Sequence, residues 1–326
     1  MDSIGQSLAF DGGDVSAWQQ RLRSKLNDLL GEEPRERVDL NVRVLWERET
    51  ALGRIEKIVF DSESFCEIPA YVCLPNDFPS PHTWMICVQG HSTGMHNSIA
   101  VQYDDEETPI VVDGDRDFAI GCMKHGVAAL CIEQRAFGIR KEHSMGGIRE
   151  RGCVEATMHA FMLGRTMIGE RVYDVDRAID YLMTRSDVDE KRIGIMGNSG
   201  GGTTSVFAAA TLPRIQIAMP SCYFCTFRDS ILSVSHCVCN YVPRLSKYAE
   251  MADVMGLFAP KPVVIVAGKE DEIFPLEATK RAFEALRKIY AAAGSGDRCH
   301  LVIGEGGHRF YADDAWPVLQ SELSNL

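Results

Sequence analysis

Residues 192–210 read RIGIMGNSGGGTTSVFAAA, and the order of residue types in that stretch decides the fold. A short apolar run, Ile193 to Met196, leads into Gly197, Asn198, Ser199, Gly200 and Gly201, and small residues of helical tendency follow. The pattern predicts a strand, a sharp turn and a helix, with Ser199 at the apex. Glycines are needed on both sides of the serine because a Cβ in so tight a turn would strike the neighbouring strand or helix. The turn holds the hydroxyl out toward a substrate. The helix start behind it directs unpaired N–H groups at the point where the negative oxygen of an acyl-transfer intermediate would form. A Gly-rich βα turn without chemistry would share the glycines; the strand and helix around them favour a nucleophile.

Outward from this turn, short apolar runs alternate with helical segments. WMICVQ (84–89), Val127–Glu133, RIGIMG (192–197), Gln216–Ser221, Pro262–Gly268 and Cys299–Gly304 have the continuous apolar character of buried parallel strands. Between or after them come helical stretches over Phe118–His125, Arg171–Thr184, Gly202–Thr211, Leu276–Ala293 and Asp313–Leu323. The alternation implies an α/β architecture: a mostly parallel, doubly wound sheet with helices on both faces. Asn41–Trp46, Arg54–Phe60 and Glu67–Leu74 read as antiparallel strands leading into it. Before them, Trp18, Leu22, Leu26, Leu29 and Leu30 fall at helical spacing behind a cap at Asp14 or Ser16, and GEEPRER (31–37) ends that helix. No repeat, low-complexity tract or linker divides the chain. It reads as a single domain over 1–326, with a helical extension at 1–35 and a lid-like insertion at 222–260. That insertion and a second long stretch, Ser92–Arg116, are expected to leave the carboxyl ends of strands and roof the pocket over Ser199. His236 and Tyr241 are placed near the substrate on that basis.

The chain has 326 residues, 45% hydrophobic and 25% charged, with a net charge of −12. That is the profile of a soluble globular protein, and nothing in it is basic enough to recruit nucleic acid or an anionic membrane. The opening MDSIGQSLAFDGGDVSAW lacks the basic and apolar regions of a secretory signal, and no apolar run approaches a membrane span, so a cytoplasmic location is expected. The eleven cysteines are odd in number and scattered through apolar stretches, which favours buried thiols in a reducing compartment over a disulfide framework. Cys222, Cys225, His236, Cys237 and Cys239 form an exception, because their C-x-x-C and H-C-x-C spacings could supply soft ligands to zinc, but free thiols packing a lid are the preferred reading and no metal is expected.

A serine hydroxyl needs a base to take its proton and a carboxylate to orient the base. The carboxylate is expected after a later strand, where Glu270, Asp271 and Glu272 compete behind Gly268, and position alone does not choose between Asp271 and Glu272. The base is expected after the last strand: His308, in GEGGHRFY (304–311), completes the order Ser, Asp, His. The second oxyanion donor, beside the N–H of Gly200, is drawn from Gln89–Ser92, with the N–H of His91 first and Ser92 as fallback. His300, inside a strand, and His125, at a helix end, read as structural.

GRTMIGERVYDVDRAIDYL (164–182), VDEKRIGIMGNSGGG (188–202), HCVCNYVPRL (236–245), VAGKEDEIFP (266–275) and GGHRFY (306–311) occur together and in this order. Over roughly Trp84–Trp316 the chain thereby resembles the α/β-hydrolase branch of acetyl xylan esterase-like and cephalosporin C deacetylase-like proteins, related to the dienelactone hydrolases. The family's G-x-x-D-x-x-x-P pattern falls on Gly268, Asp271 and Pro275, which implies Asp271 as the acid. Its H-G-x oxyanion segment falls on Gln89, Gly90 and His91, with Gln89 in place of the histidine. The resemblance also implies that HCVCNY carries no metal. The expected activity is a serine esterase acting on short acyl groups such as acetate. No cofactor is required, a small-molecule ester is the partner, and homo-oligomerisation is left open. A peptidase of the prolyl-oligopeptidase type and a non-catalytic receptor on a hydrolase fold are the rivals.

Overall fold

The computed structural model describes residues 5–31, 35–76, 78–142 and 152–326. Its strands are β1 (Arg43–Glu49), β2 (Gly53–Glu63), β3 (Cys66–Pro75), β4 (His82–Val88), β5 (Ala128–Ile132), β6 (Val188–Asn198), β7 (Ile217–Ser221), β8 (Val263–Gly268) and β9 (Cys299–Gly304). Its helices are α1 (Val15–Leu30), α2 (Met95–Ser98), α3 (Phe118–Lys124), α4 (Gly152–Met162), α5 (Met167–Leu182), α6 (Gly200–Thr211), α7 (Met251–Gly256), α8 (Leu276–Ala292) and α9 (Ala312–Leu323). Every expected strand is present within a few residues of its expected ends. Helices α2, α4 and α7 are additions.

The strands form one nine-stranded sheet in the order β1-β2-β3-β5-β4-β6-β7-β8-β9. β1, β2, β3 and β5 pair antiparallel, and the remaining pairs are parallel. Side chains of a strand point alternately to its two faces, and the central strands bury both. Trp84, Ile86 and Val88 join Ala128, Leu130, Ile132, Ile193 and Ile195 under α1, α5, α6, α7 and α8. Met85, Cys87, Ala129, Cys131 and Met196 face the other way, under α2, α3 and α9. This two-sided burial is why the buried parts of these strands, such as Trp84–Val88 and Ile193–Gly197, are unbroken apolar runs.

Helix α1 begins where Asp14 accepts a hydrogen bond from the Ala17 N–H at 3.2 Å and ends at Gly31 in the left-handed conformation, φ 78°. Glu32, Glu33 and Pro34, read as part of its terminator, lie outside the described residues, as do Met1–Ile4. No helix among the described residues is long and apolar enough to cross a membrane.

The parallel order places β4 between β5 and β6, so the chain leaves β4 toward one side of the sheet and later returns on the other. Such a reversal opens a crevice at the carboxyl ends of the strands. Register carries the loops after Val88, Asn198, Ser221, Gly268 and Gly304 to this same edge.

Candidate active site

Ser199 has φ 59° and ψ −118°, a conformation that a non-glycine residue adopts only when its surroundings impose it. They do so at both ends. The Ser199 N–H donates to the Ser221 carbonyl at 2.9 Å, and its carbonyl accepts from the Thr203 N–H at 2.8 Å. The flanking glycines answer to close approach: a Cβ on Gly197 would stand 2.4 Å from the Val88 carbonyl oxygen, and one on Gly201 only 2.0 Å from it. Helix α6 therefore starts pressed against the end of β4, beside the loop that carries Gln89, Gly90 and His91. A Cβ on Gly90 would lie 3.1 Å from the Ser199 Cβ, so that loop touches the serine itself. Neither the His91 nor the Gly200 N–H has an acceptor among the described residues.

Asp271 and His308 meet at this edge. His308 Nδ1 lies 2.8 Å from Asp271 Oδ2, while Asp271 Oδ1 accepts the N–H groups of Ile273 at 2.9 Å and Phe274 at 3.1 Å. Burial pushes the Asp271 carboxyl up, but His308 and these two N–H donors outweigh it and hold the group below its ordinary value. Glu272, its competitor in the sequence, is exposed. The two loops are tied by backbone bonds from Lys269 to Gly304 at 2.8 Å and from Glu270 to Gly306 at 2.9 Å. The Phe274 ring stacks on His308 with 5.8 Å between centroids. Cys222, unremarked as a neighbour of the acid, donates its thiol to the Arg309 carbonyl at 3.1 Å. Burial and the adjacent Asp271 push that thiol up to about 12, so it stays protonated.

Gln89, which replaces a histidine of the resembled family, turns away from the crevice. Its amide donates to Ser98 Oγ at 2.8 Å and to the Arg116 carbonyl at 2.7 Å, pinning both ends of the long stretch after β4. The ends of that stretch stay by the crevice, Ser92 lining a cavity with His91 and the Gly114 carbonyl accepting from the Phe310 N–H at 3.1 Å in the loop of His308. The acidic middle of the stretch folds back on the antiparallel strands, where Glu106 accepts from Lys57 at 2.5 Å and Tyr71 at 2.8 Å.

The insertion at 222–260 is likewise packed into the core, with Tyr223, Phe224, Phe227, Leu245 and Met251 all buried. Part of it reaches the site. His236 lines a cavity of about 350 Å³ with His91, Ser92, Phe137, Lys141 and Cys237, and its ring lies 5.3 Å from Phe274. Its Nε2 is 3.1 Å from Ser230 Oγ. Tyr241 lies elsewhere: its hydroxyl donates to the Ile231 carbonyl at 2.9 Å, and it lines a separate cavity of about 780 Å³ that shares no residue with the cavity of His91 and His236.

The soft-ligand group that spacing alone could have formed from Cys222, Cys225, His236, Cys237 and Cys239 does not assemble. Cys222 sits by Asp271, Cys225 faces the Pro275 carbonyl at 3.8 Å and His236 pairs with Ser230. Cys237 and Cys239 instead meet His91 and Cys153, their ligand atoms all within 4.8 Å of one another. All eleven cysteines are free thiols. Cys153 comes from α4, a helix that sequence periodicity did not mark.

The prolyl oligopeptidase family profile matches residues 160–317. YtaP of Bacillus subtilis (strain 168), named as a hydrolase, is 28% identical over 295 residues, 88% of this chain and 92% of that protein. Carbohydrate esterase MZ0003, from an unknown prokaryotic organism, is 27% identical over 139 residues, 36% of this chain and 32% of its own. A protein of Bacteroides fragilis NCTC 9343, described as a candidate acetyl xylan esterase, shares 15% identity and superposes with a TM-score of 0.76 over 97% of this chain and 81% of that one. The sheet order, the turn at Ser199 and these matches agree on the architecture: the chain has the α/β-hydrolase fold.

Proposed function

We propose that this protein is a serine esterase that cleaves short-chain carboxylic esters, with acetylated or otherwise esterified carbohydrates as its substrate class. The observation that carries the reading is the Asp271–His308 pair at 2.8 Å on the same sheet edge as the constrained turn of Ser199. Ser199 attacks the ester carbonyl as His308 accepts its proton, and Asp271 holds the imidazole in the tautomer whose free nitrogen can do so. The N–H groups of His91 and Gly200 receive the oxyanion. His308 then protonates the leaving alcohol and, in the second half, activates the water that releases the acid. The names of the carbohydrate-esterase relatives support the substrate class, and the name of YtaP supports hydrolysis.

Initial rates on p-nitrophenyl esters from acetate to octanoate test this, wild type beside Ser199→Ala. Turnover should fall with acyl length and drop about 10⁴-fold or more in the variant. A folded Ser199→Ala protein keeping most of the activity would refute the nucleophile. The match to the prolyl oligopeptidase family favours a second reading, a peptidase using the same residues. Faster cleavage of aminoacyl p-nitroanilides than of any ester would select it.

A further inference from the structure

We propose that, against what the family resemblance implies for HCVCNY, His91, Cys153, Cys237 and Cys239 form a structural zinc site that fastens the loop after β4 to α4 and to the insertion at 222–260. The four donors come from three separate segments and converge with every pair of ligand atoms within 4.8 Å. Cys153 and Cys237 sulfurs are 3.1 Å apart, and His91 Nε2 is 3.1 Å from the Cys239 sulfur. Zinc at about 2.3 Å from sulfur and about 2.0 Å from nitrogen sets tetrahedral ligands roughly 3.5–3.8 Å apart, a separation between the 3.1 Å of the close pairs and the 4.8 Å that bounds the others. Three thiols and one imidazole are the soft donor set that structural zinc selects, and a closed four-ligand shell leaves no position for catalysis.

An independent observation comes from Arg171 on α5. Its side chain is buried, its Nε donates to the Arg135 carbonyl at 3.0 Å, and its Nη1 and Nη2 have no hydrogen-bond partner among the described residues. The guanidinium lies 3.9 Å over the Phe137 ring, whose edge meets His91 at 4.6 Å between centroids. A buried cation without a carboxylate is costly unless some other negative charge lies near it. Zinc bound by three thiolates and a neutral imidazole carries a net charge of −1, which Arg171 would balance. Binding the metal releases the thiol protons that remain and leaves the His91 proton on Nδ1, the nitrogen 3.1 Å from where a Gly200 Cβ would stand.

The test is metal content and coordination, read without substrate. Protein purified in reductant and without chelator should hold about one zinc per chain by elemental analysis. Exchange with Co²⁺ should give the visible bands of a tetrahedral cobalt–thiolate site. Cys153→Ser and Cys237→Ser should each lower bound metal at least tenfold, while Cys225→Ser and Ser199→Ala retain it. If the cysteine variants fail to fold, the wild-type cobalt spectrum decides alone. Reduced wild-type protein with no zinc and no cobalt bands overturns the site, as does a Cys153–Cys237 disulfide in protein purified under the same reducing conditions. Because Ser199→Ala binds cobalt like wild type if the proposal holds, a failure here is separable from a failure of the esterase reading.

Discussion

Replacing Asp271 by Asn tests the catalytic assignment more sharply than removing the serine, because the surroundings of Asp271 dictate how the amide must sit. Oδ1 already accepts two backbone N–H groups, at 2.9 and 3.1 Å, and an amide nitrogen there would set donor against donor. The Asn oxygen therefore takes the Oδ1 position and its NH₂ group faces His308 Nδ1 at the 2.8 Å now spanned by the carboxylate. His308 must then accept at Nδ1 and carry its proton on Nε2, the tautomer that cannot take a proton from Ser199. Loss of the correct tautomer costs about 10⁴-fold in kcat, or about 5.4 kcal/mol of transition-state stabilisation. Both backbone hydrogen bonds survive, so the fold should hold. The assay is kcat on p-nitrophenyl acetate for wild type, Asp271→Asn, Asp271→Ala and Glu272→Gln, with circular dichroism and urea midpoints alongside. Asp271→Asn should be at least as slow as Asp271→Ala, which leaves the ring free to adopt either tautomer, and the exposed Glu272→Gln should turn over like wild type. A folded Asp271→Asn retaining a tenth of the wild-type kcat, or a Glu272→Gln equally damaged, would sink the reasoning.

Gly201→Ala should destabilise by about 3 kcal/mol and slow turnover as well, since its Cβ meets the Val88 carbonyl at 2.0 Å and displaces the loop bearing His91; a urea midpoint unchanged from wild type would contradict this. Asp174 is fully buried between Arg135 and Arg140, which overcome the upward push of burial and hold its pKa at about 2. Its stabilising effect is present above the unfolded value near 4 and should be lost as pH falls toward 2, and Asp174→Asn should cost roughly 3 kcal/mol at pH 7, measured by urea unfolding. Glu250 works in the opposite sense: burial lifts it to about 7, so its contribution is full below roughly pH 4.3 and lost as pH rises to 7. Thermal scans of Glu250→Gln from pH 4.5 to 8 should therefore show a flatter decline than wild type on the neutral side.

How much of this was legible in the sequence follows from how far each signal reaches along the chain. The parallel strands were legible because a segment covered on both faces must be apolar throughout, as Trp84–Val88 of β4, Ile193–Gly197 of β6 and all of β8 are. Ser199 was legible for a related reason: the close contacts that require Gly197 and Gly201 recur wherever a strand turns so sharply into a helix, and they leave their mark within two residues of the serine. Asp271 was half legible. The loop offered three acids, and what separates Asp271 from Glu272 is burial against Ile273, Phe274 and His308, a tertiary fact that only the family pattern anticipated. The insertions failed because their partners are distant. Nothing near Glu106 announces that it will bond Lys57 and Tyr71, and nothing near Tyr241 says that its hydroxyl turns to Ile231 instead of the crevice. The cysteines make the point most directly. C-x-x-C spacing proposed Cys222 and Cys225 as partners of Cys237 and Cys239, yet those residues are drawn to Asp271 and Pro275, while the true neighbours, His91 and Cys153, stand 148 and 84 residues from the cysteines they meet. Ligand spacing in a sequence identifies a site only when one local turn supplies the ligands; here α4 and the loop after β4 each deliver one, and only the packing of α4 and α5 against Val238–Asn240 brings them together.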